Sequence, residues 1–365
     1  MDNDTILVIV VGTALAFGFT NGFHDTANLV ATSISTRAMT PRLAVAYAAT
    51  LNFAGAFLSI AVAATIAQDV VNSDAISPTV VFAGVIGAIT WNLITWYFGL
   101  PSSSSHALIG GVVGAAFVAA GTDAVDGDGV LGKVLIPAAV APVVAAVVGG
   151  LAIVVCYRTV ARLHPGPVKR GYRLGQVVSG GLLSLAHGSN DAQKTMGVIT
   201  LALIANGNLG PNADPPAWVI MSAAAAIALG TYWGGWRIIR TTGMRIIKMD
   251  PAQGFSAEGA GAAVILASTY YGYPLSTTQV ISGGVMGAGA GRRLSAVRWG
   301  IAGNIVAAWL LTLPAAAGIG ALAYGATRAF GTGSLGPAVV TAIGLALVAA
   351  AFTRRARRGA PVPAP

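Results

Sequence analysis

Charge is what this 365-residue chain has least of. Lys, Arg, Asp and Glu together make up 9% of it, against 55% hydrophobic residues. A soluble domain carries about 25% charged residues, so a chain this poor in charge cannot cover a water-exposed globule. Cysteine is nearly absent too. Cys156 alone excludes an intrachain disulfide and a cysteine-built metal cluster, and reads as a packing thiol inside an apolar run. Nucleotide-binding glycine loops, nucleophile elbows and metal-ligand spacings are all missing. The reading is therefore not an enzyme, with no cofactor and no pumping by nucleotide hydrolysis. The excess of 21 Lys and Arg over 12 Asp and Glu lacks interleaved aromatics, so nucleic acid is not an expected partner.

Long apolar runs and 48 glycines are what remain, and both suit helices packed in a lipid bilayer. Apolar segments read at 5–34, 43–67, 80–98, 101–120, 134–157, 174–205, 217–238, 258–273, 274–290, 299–322 and 335–352. The first starts directly after Met1-Asp2-Asn3-Asp4 and reads as a span, not a secretory signal. Segments 5–34 and 174–205 are long and hold polar residues, while 101–120 and 274–290 are short and follow proline. These four are the candidates for broken or re-entrant helices, giving about 11–12 membrane segments. Of the 21 basic residues, 18 fall after odd-numbered segments, including Arg158, Arg162, Lys169, Arg170, Arg173, Arg237, Arg240, Arg245 and Arg354 to Arg358. Even-numbered loops are acidic, with Asp69, Asp74, Asp123, Asp126, Asp128 and Asp214. By the positive-inside rule the N-terminus is outside and the C-terminus cytoplasmic, in the cell membrane.

The chain repeats itself. Asn21-Gly22-Phe23-His24-Asp25 matches His187-Gly188-Ser189-Asn190-Asp191. Pro101-Ser102-Ser103-Ser104-Ser105-His106 matches Pro274-Leu275-Ser276-Thr277-Thr278-Gln279, and the glycines at 110, 111 and 114 match those at 283, 284 and 287. The copies start five segments apart, so the second crosses the membrane in the opposite sense, as in secondary transporters. The expected architecture is an all-α polytopic membrane protein of two inverted-topology repeats. Residues 1–157 form the first repeat, 158–173 a basic cytoplasmic linker, 174–353 the second repeat and 354–365 a basic cytoplasmic tail.

Asp25, Asp191, Glu258 and Lys194 are the charges set well inside apolar segments. A charge at mid-bilayer costs at least about 2.5–3.5 kcal/mol, so each must be paired, hydrated or ligated. One reading is a structural ion pair of Asp191 with Lys194, one helical turn away. The other is cation coordination by the carboxylates, with the amides Asn28 and Asn190 nearby. The two Ser/Thr clusters open apolar helices after a proline. Their hydroxyls and free N–H groups are either simple N-caps or a cradle for an oxyanion, favoured by the helix dipole. His24, His106 and Gln279 border these groups as tuning residues.

These motifs resemble the inorganic phosphate transporter (PiT) family in its bacterial form. The resemblance rests on His187-Gly188-Ser189-Asn190-Asp191-Ala192-Gln193-Lys194-Thr195-Met196-Gly197, on Gly22-Phe23-His24-Asp25-Thr26-Ala27-Asn28, on Gly254-Phe255-Ser256-Ala257-Glu258, on Pro274-Leu275-Ser276-Thr277-Thr278, and on Ala308-Trp309-Leu310-Leu311-Thr312-Leu313-Pro314. It implies uptake of inorganic phosphate by symport with sodium or protons, through alternating access in a homodimer of inverted repeats. Carried over by residue, Asp25, Asn28, Asn190, Asp191 and Glu258 would serve the coupling cation, with sodium at the first four. Ser103, Ser104, Ser105, Ser276, Thr277 and Thr278 would serve phosphate. This chain departs from the family pattern at His24, where asparagine is usual, and at Gln193-Lys194, where the first half has Ala27-Asn28. The Lys194 ammonium, set where the other half has an amide, can stand in for one bound cation. Sulfate or another oxyanion on the same scaffold, or an uncoupled anion channel, are the alternatives.

Overall fold

The computed structural model describes residues 2–236, 238–239, 246–331 and 333–357. Arg237, Arg240, Arg245 and the tail from 358 onward lie outside the described residues. Among these, the backbone is helical almost throughout, and extended pairing is limited to one bridge between Val71 and Val125. The helices are α1 (Asp2–Ser35), α2 (Pro41–Gly55), α3 (Ala61–Gln68), α4 (Pro78–Phe98), α5 (Ser104–Ala120), α6 (Gly127–Val160), α7 (Pro165–Ala205), α8 (Ala217–Trp233), α9 (Pro251–Tyr270), α10 (Thr277–Ala290), α11 (Trp299–Arg328) and α12 (Leu335–Arg357). Four of them, α1, α4, α6 and α11, are long and apolar enough to cross a membrane, and α5, α8 and α12 are shorter and apolar. On α6 the side chains of Val140, Val143, Val147, Leu151 and Val155 all face outward. A continuous apolar face of this kind suits lipid and not water, and the chain is a multi-pass membrane protein.

Several expectations change. Segments 5–34 and 174–205 are not broken: α1 and α7 run uninterrupted for 34 and 41 residues. Gly22 and Gly188 are contact points, not hinges. A Cβ on Gly22 would lie 2.2 Å from Ile227 O, and one on Gly188 would lie 2.0 Å from Asn52 O. The break falls in segment 43–67, between α2 and α3. It is stabilised from afar, because Gln193 Oε1 accepts from the N–H groups of Val62 (2.8 Å) and Ala63 (3.1 Å), two of the open donors at the start of α3. The expected linker 158–173 is mostly helix, since α6 ends at Val160 and α7 starts at Pro165.

Helices α1 and α7 pack on each other in the centre. Hairpin α4–α5 is clasped by α11, and hairpin α9–α10 by α6. Each hairpin is thus clasped by a helix from the other side of the α6–α7 connection. Both clasping helices carry an internal proline, Pro142 and Pro314. Both contacts depend on glycine. A Cβ on Gly114 would sit 2.1 Å from Ala317 O, and one on Gly287 would sit 2.0 Å from Ala146 O. Small residues here let helix backbones touch.

Two apolar cores result. One gathers Ile6, Val10 and Phe17 of α1 with Met196 and Ile199 of α7; the other gathers Leu29 and Val30 of α1 with Leu183 and Ala186 of α7. Between them, halfway along both helices, lies a buried polar layer that holds His24, Asp25, His187 and Asp191.

Candidate functional site

Two helix starts enter this layer, and local chemistry builds them alike. α4 is closed by Gly99 at φ 68, and α9 is followed by Gly272 at φ 72. This left-handed conformation suits glycine. In both cases the next residue donates back to the helix, Leu100 N to Thr95 O and Tyr273 N to Ser268 O, each at 2.9 Å. Four residues after each glycine stands a serine N-cap. Ser103 Oγ accepts from His106 N at 3.1 Å and Ser276 Oγ accepts from Gln279 N at 3.3 Å. One hydroxyl of each trio is thus spent on capping, which leaves Ser104 and Ser105 of α5, and Thr277 and Thr278 of α10, for the layer itself.

Three of those four converge on one carboxylate. Asp25 Oδ2 accepts from Ser104 Oγ at 2.6 Å and from Thr277 Oγ1 at 3.4 Å, and Asp25 Oδ1 accepts from Thr278 Oγ1 at 3.2 Å. His24 Nδ1 lies 2.9 Å from Asp25 Oδ1, while its Nε2 is 3.2 Å from Thr95 Oγ1. The fourth hydroxyl belongs to Lys194. Its ammonium donates to Ser105 Oγ, to Asp191 Oδ1 at 2.6 Å and to Leu275 O at 2.8 Å. All three protons of a fully buried ammonium are therefore placed. A buried ion pair needs such added hydrogen bonds to offset the loss of water. The ion-pair reading of Asp191 and Lys194 is thus geometrically correct, and the pair sits inside the site.

The bonds join residues far apart in the chain. Asn28 Nδ2 donates to Thr278 Oγ1 at 2.9 Å, as Lys194 donates to Ser105. The oxygens Asn28 Oδ1 and Asn190 Oδ1 are buried without a partner. Asn190 turns its Nδ2 away from the carboxylates, to Thr269 Oγ1 and Tyr273 O, both at 3.0 Å. His106 and Gln279 meet each other, Nδ1 to Nε2 at 3.4 Å.

Glu258 lies apart from this cluster. Its Oε1 accepts from Thr32 Oγ1 (2.5 Å), Ser33 Oγ (2.7 Å) and Gln176 Nε2 (3.1 Å), and its Oε2 from Ser179 Oγ (2.6 Å). Thr32 stands seven residues after Asp25, about 10 Å along the helix. A fully buried carboxylate held by three hydroxyls and an amide forms a second polar centre.

Sequence reasoning missed His187 and Asn21. His187 Nε2 lies 3.3 Å from Asp191 Oδ2 and 3.9 Å from Asp25 Oδ2, and Asn21 Nδ2 donates to Asp191 Oδ2 at 3.3 Å. The signal was present, since each precedes its half's aspartate by four residues and shares its helix face. The partners of Glu258 carried no such signal.

Chemically, the layer offers hydroxyl donors suited to an oxyanion and carboxylate and amide oxygens suited to a hard cation, within one hydrogen-bonded network. Known proteins share this chain's pattern. A family model for the phosphate transporter family matches residues 21–170 and 164–320. A Mycobacterium bovis protein named "Probable low-affinity inorganic phosphate transporter" is 54% identical over 327 residues, covering 89% of this chain and 78% of its own length. Proteins of the same name from Rhizobium meliloti and Bacillus subtilis are 48% and 45% identical, over 87% and 88% of this chain and 96% of each relative. A solved structure titled "The sodium-dependent phosphate transporter" matches with a TM-score of 0.79 at 24% identity, over 88% of this chain and 98% of that chain, which shows a shared fold.

Proposed function

The chain belongs to the phosphate transporter family, and from that premise we propose that it takes up inorganic phosphate by symport with a cation, through alternating access of two inverted repeats. The observation that carries this reading is the convergence of Ser104, Thr277 and Thr278, from helix starts in different halves, on the single carboxylate of Asp25. Those hydroxyls are the donors a tetrahedral oxyanion needs, and here the carboxylate holds them. An incoming oxyanion has to displace Asp25 from its donors, and it meets a negative charge in doing so. A cation bound at Asp25 removes both obstacles. Each ligand then raises the affinity for the other, as thermodynamic linkage requires of a symporter. The names of the curated relatives support phosphate as the anion.

The cation ligands are Asp25, Asp191 and the unpartnered amide oxygens of Asn28 and Asn190, with Glu258 as a second position along α1. Ser103 and Ser276 act through capping: they hold the helix starts that present Ser104, Ser105, Thr277 and Thr278. Lys194 neutralises Asp191 permanently, so one fewer cation is needed per phosphate. The matched glycine contacts and exchanged clasping helices support the two-repeat reading, with the N-terminus outside, the C-terminus cytoplasmic and two chains forming a dimer in the cell membrane.

Phosphate uptake into vesicles, with sodium and proton gradients imposed separately, tests the proposal. One of the two gradients drives accumulation above equilibrium. Uptake that equilibrates without any cation dependence would instead describe an anion channel, and excess sulfate that abolishes uptake of labelled phosphate would make the site a general oxyanion site.

A further inference from the structure

Far from the polar layer, α6 and α7 meet around an apolar groove. Val160, Leu163, Val168, Tyr172, Gly175 and Phe255 line it. Gly175 stands twelve residues before His187, about 18 Å along α7. The groove encloses about 590 Å³, inside the range of about 300–1,000 Å³ for small-ligand sites. Its walls are fixed. The Tyr172 hydroxyl donates to Cys156 O at 3.2 Å, which ties α7 to α6, and the Tyr172 ring lies 5.8 Å from that of Phe255 on α9. Gly175 leaves room for the second ring, since a Cβ there would stand 3.1 Å from it.

The two ends of the groove differ in chemistry. Residues 158–175 hold Arg158, Arg162, Lys169, Arg170 and Arg173 and no carboxylate, and all of these but Arg173 are exposed. The start of α7, at Pro165, adds the positive end of a helix dipole. Asp250, at the start of α9, is already engaged: it accepts from the Tyr157 hydroxyl at 2.5 Å and lies 3.5 Å from the Arg292 guanidinium. Away from these charges the groove runs into an apolar stripe. Gly171, Gly175, Val178 and Leu182 recur at helical spacing on one face of α7, and Val178 and Leu182 are 62% and 48% exposed. Basic residues followed by exposed apolar ones along a helix mark the passage from headgroup to hydrocarbon.

We propose that this groove binds an anionic phospholipid, with the headgroup phosphate at the exposed Arg162, Lys169 and Arg170 and one acyl chain along the groove and down the stripe of Val178 and Leu182. A free oxyanion would use the charges and leave the apolar groove empty. A zwitterionic lipid would fill the groove and leave the basic residues without a net counter-charge. An amphiphile with a net negative head matches both. By the positive-inside rule this end of the bundle faces the cytoplasmic leaflet, whose anionic lipids attract basic segments beside a membrane helix. The bound chain would contact α6, α7 and Phe255 of α9 together. The inference goes beyond the transport reading and takes from it only the orientation in the membrane.

Native mass spectrometry of the purified full-length chain, titrated with phosphatidylglycerol or with phosphatidylcholine of the same acyl chains, tests the site. Phosphatidylglycerol should bind at least about tenfold more tightly, since each basic residue at a membrane surface contributes about a factor of five toward an anionic head. Arg162→Gln with Arg170→Gln should remove that preference. Arg42→Gln with Arg293→Gln, at exposed basic residues outside the groove, should keep it. Gly171→Phe, at a groove position where a Cβ meets nothing within 4 Å, should fill the channel and weaken both lipids. Equal affinity for the two lipids in the wild type overturns the site, and that comparison needs no variant to fold. An unchanged preference after Arg162→Gln with Arg170→Gln overturns it as well. So does displacement of phosphatidylglycerol by inorganic phosphate, which would mark a free-anion site. Loss of a dimer in Gly171→Phe with lipid binding unchanged would make the groove a contact between two chains and also overturns it. Vesicle uptake keeps the two proposals separate: selective lipid binding without any cation-driven uptake sinks the symport reading alone, and driven uptake without lipid selectivity sinks this site alone.

Discussion

His106 and Gln279 stand 173 positions apart in the chain, yet His106 Nδ1 and Gln279 Nε2 lie 3.4 Å from each other. They occupy the same place in the two matched helix starts, each three residues after its serine cap. The two helix starts therefore face each other at these positions. The hydroxyls of Ser104 and Thr277 are therefore brought to one carboxylate by the same geometry that pairs His106 with Gln279.

Removing one hydroxyl from that meeting point should weaken phosphate and little else. A hydrogen bond to a charged group contributes about 1.5–3 kcal/mol, which corresponds to roughly 10- to 150-fold in affinity. Ser104→Ala and Thr277→Val are expected to raise the KM for phosphate within that range. The protein should still fold, since each of these hydroxyls donates to Asp25 and neither caps a helix. Concentration-dependent uptake of labelled phosphate, beside thermal unfolding of the purified variants, measures both.

The two aspartates should fail in different ways. Asp25→Asn keeps a polar group for Ser104 to bond but deletes the charge, so driven uptake should drop about 100-fold or more with a near-normal melting temperature. Asp191→Asn strands the ammonium of Lys194, whose nearest anion is Asp191 Oδ1 at 2.6 Å. Breaking a buried pair from one side costs about 3–5 kcal/mol, so this variant should unfold at markedly lower temperature. Adding Lys194→Gln to Asp191→Asn should recover most of the loss. Equal melting temperatures for the two single variants would count against the pair.

Much of this was legible in the sequence. Helical class and membrane character follow from apolar runs, and the meeting of the aspartates with the Ser104 and Thr277 helix starts in one buried layer was expected from charge placed where charge is costly and from proline-led hydroxyl clusters. What stayed hidden depends on partners far away in the chain. Gln193 reads as a departure from the first half, where Ala27 stands, yet it caps α3 across 131 positions. Polar residues and glycine in α1 and α7 suggested breaks, but within the bundle Asp25, Asp191 and Lys194 find partners, and Gly22 and Gly188 meet backbone. Glu258 stood out as a buried charge, while its partners Thr32, Ser33, Gln176 and Ser179 look like ordinary helix residues until α1, α7 and α9 are packed together.

Close packing through glycine gives a prediction about stability alone. Gly287→Ala places a Cβ where Ala146 O already lies at 2.0 Å, whereas Gly132→Ala meets nothing within 4 Å. Overpacking of this kind costs about 1–3 kcal/mol. Gly287→Ala should lower the melting temperature and the yield of folded protein, and Gly132→Ala should match the parent in both.

Lys194→Asn restores in the second half the amide that Asn28 provides in the first. Asp191 then loses its fixed counter-charge, and a mobile cation must supply it. The variant should require more cation per phosphate, seen as a steeper dependence of uptake on cation concentration, with a higher half-saturating concentration. A curve unchanged in slope and midpoint would mean that the ammonium does not replace a cation.

Glu258 separates coupling from architecture. Its carboxylate is held by Thr32, Ser33, Gln176 and Ser179. Glu258→Gln preserves the shape and the Oε1 acceptor, and the hydroxyl of Ser179 can rotate to accept from the new amide. The fold should therefore survive, with a melting temperature within a few degrees of the parent. A cation bound there would lose a full negative charge among its ligands, so the half-saturating cation concentration should rise at least about tenfold. The phosphate KM at saturating cation should stay constant, because none of the oxyanion donors Ser104, Thr277 or Thr278 bonds to Glu258. A large fall in melting temperature with an unchanged cation midpoint would make Glu258 a structural brace between α1, α7 and α9 and remove it from the coupling path.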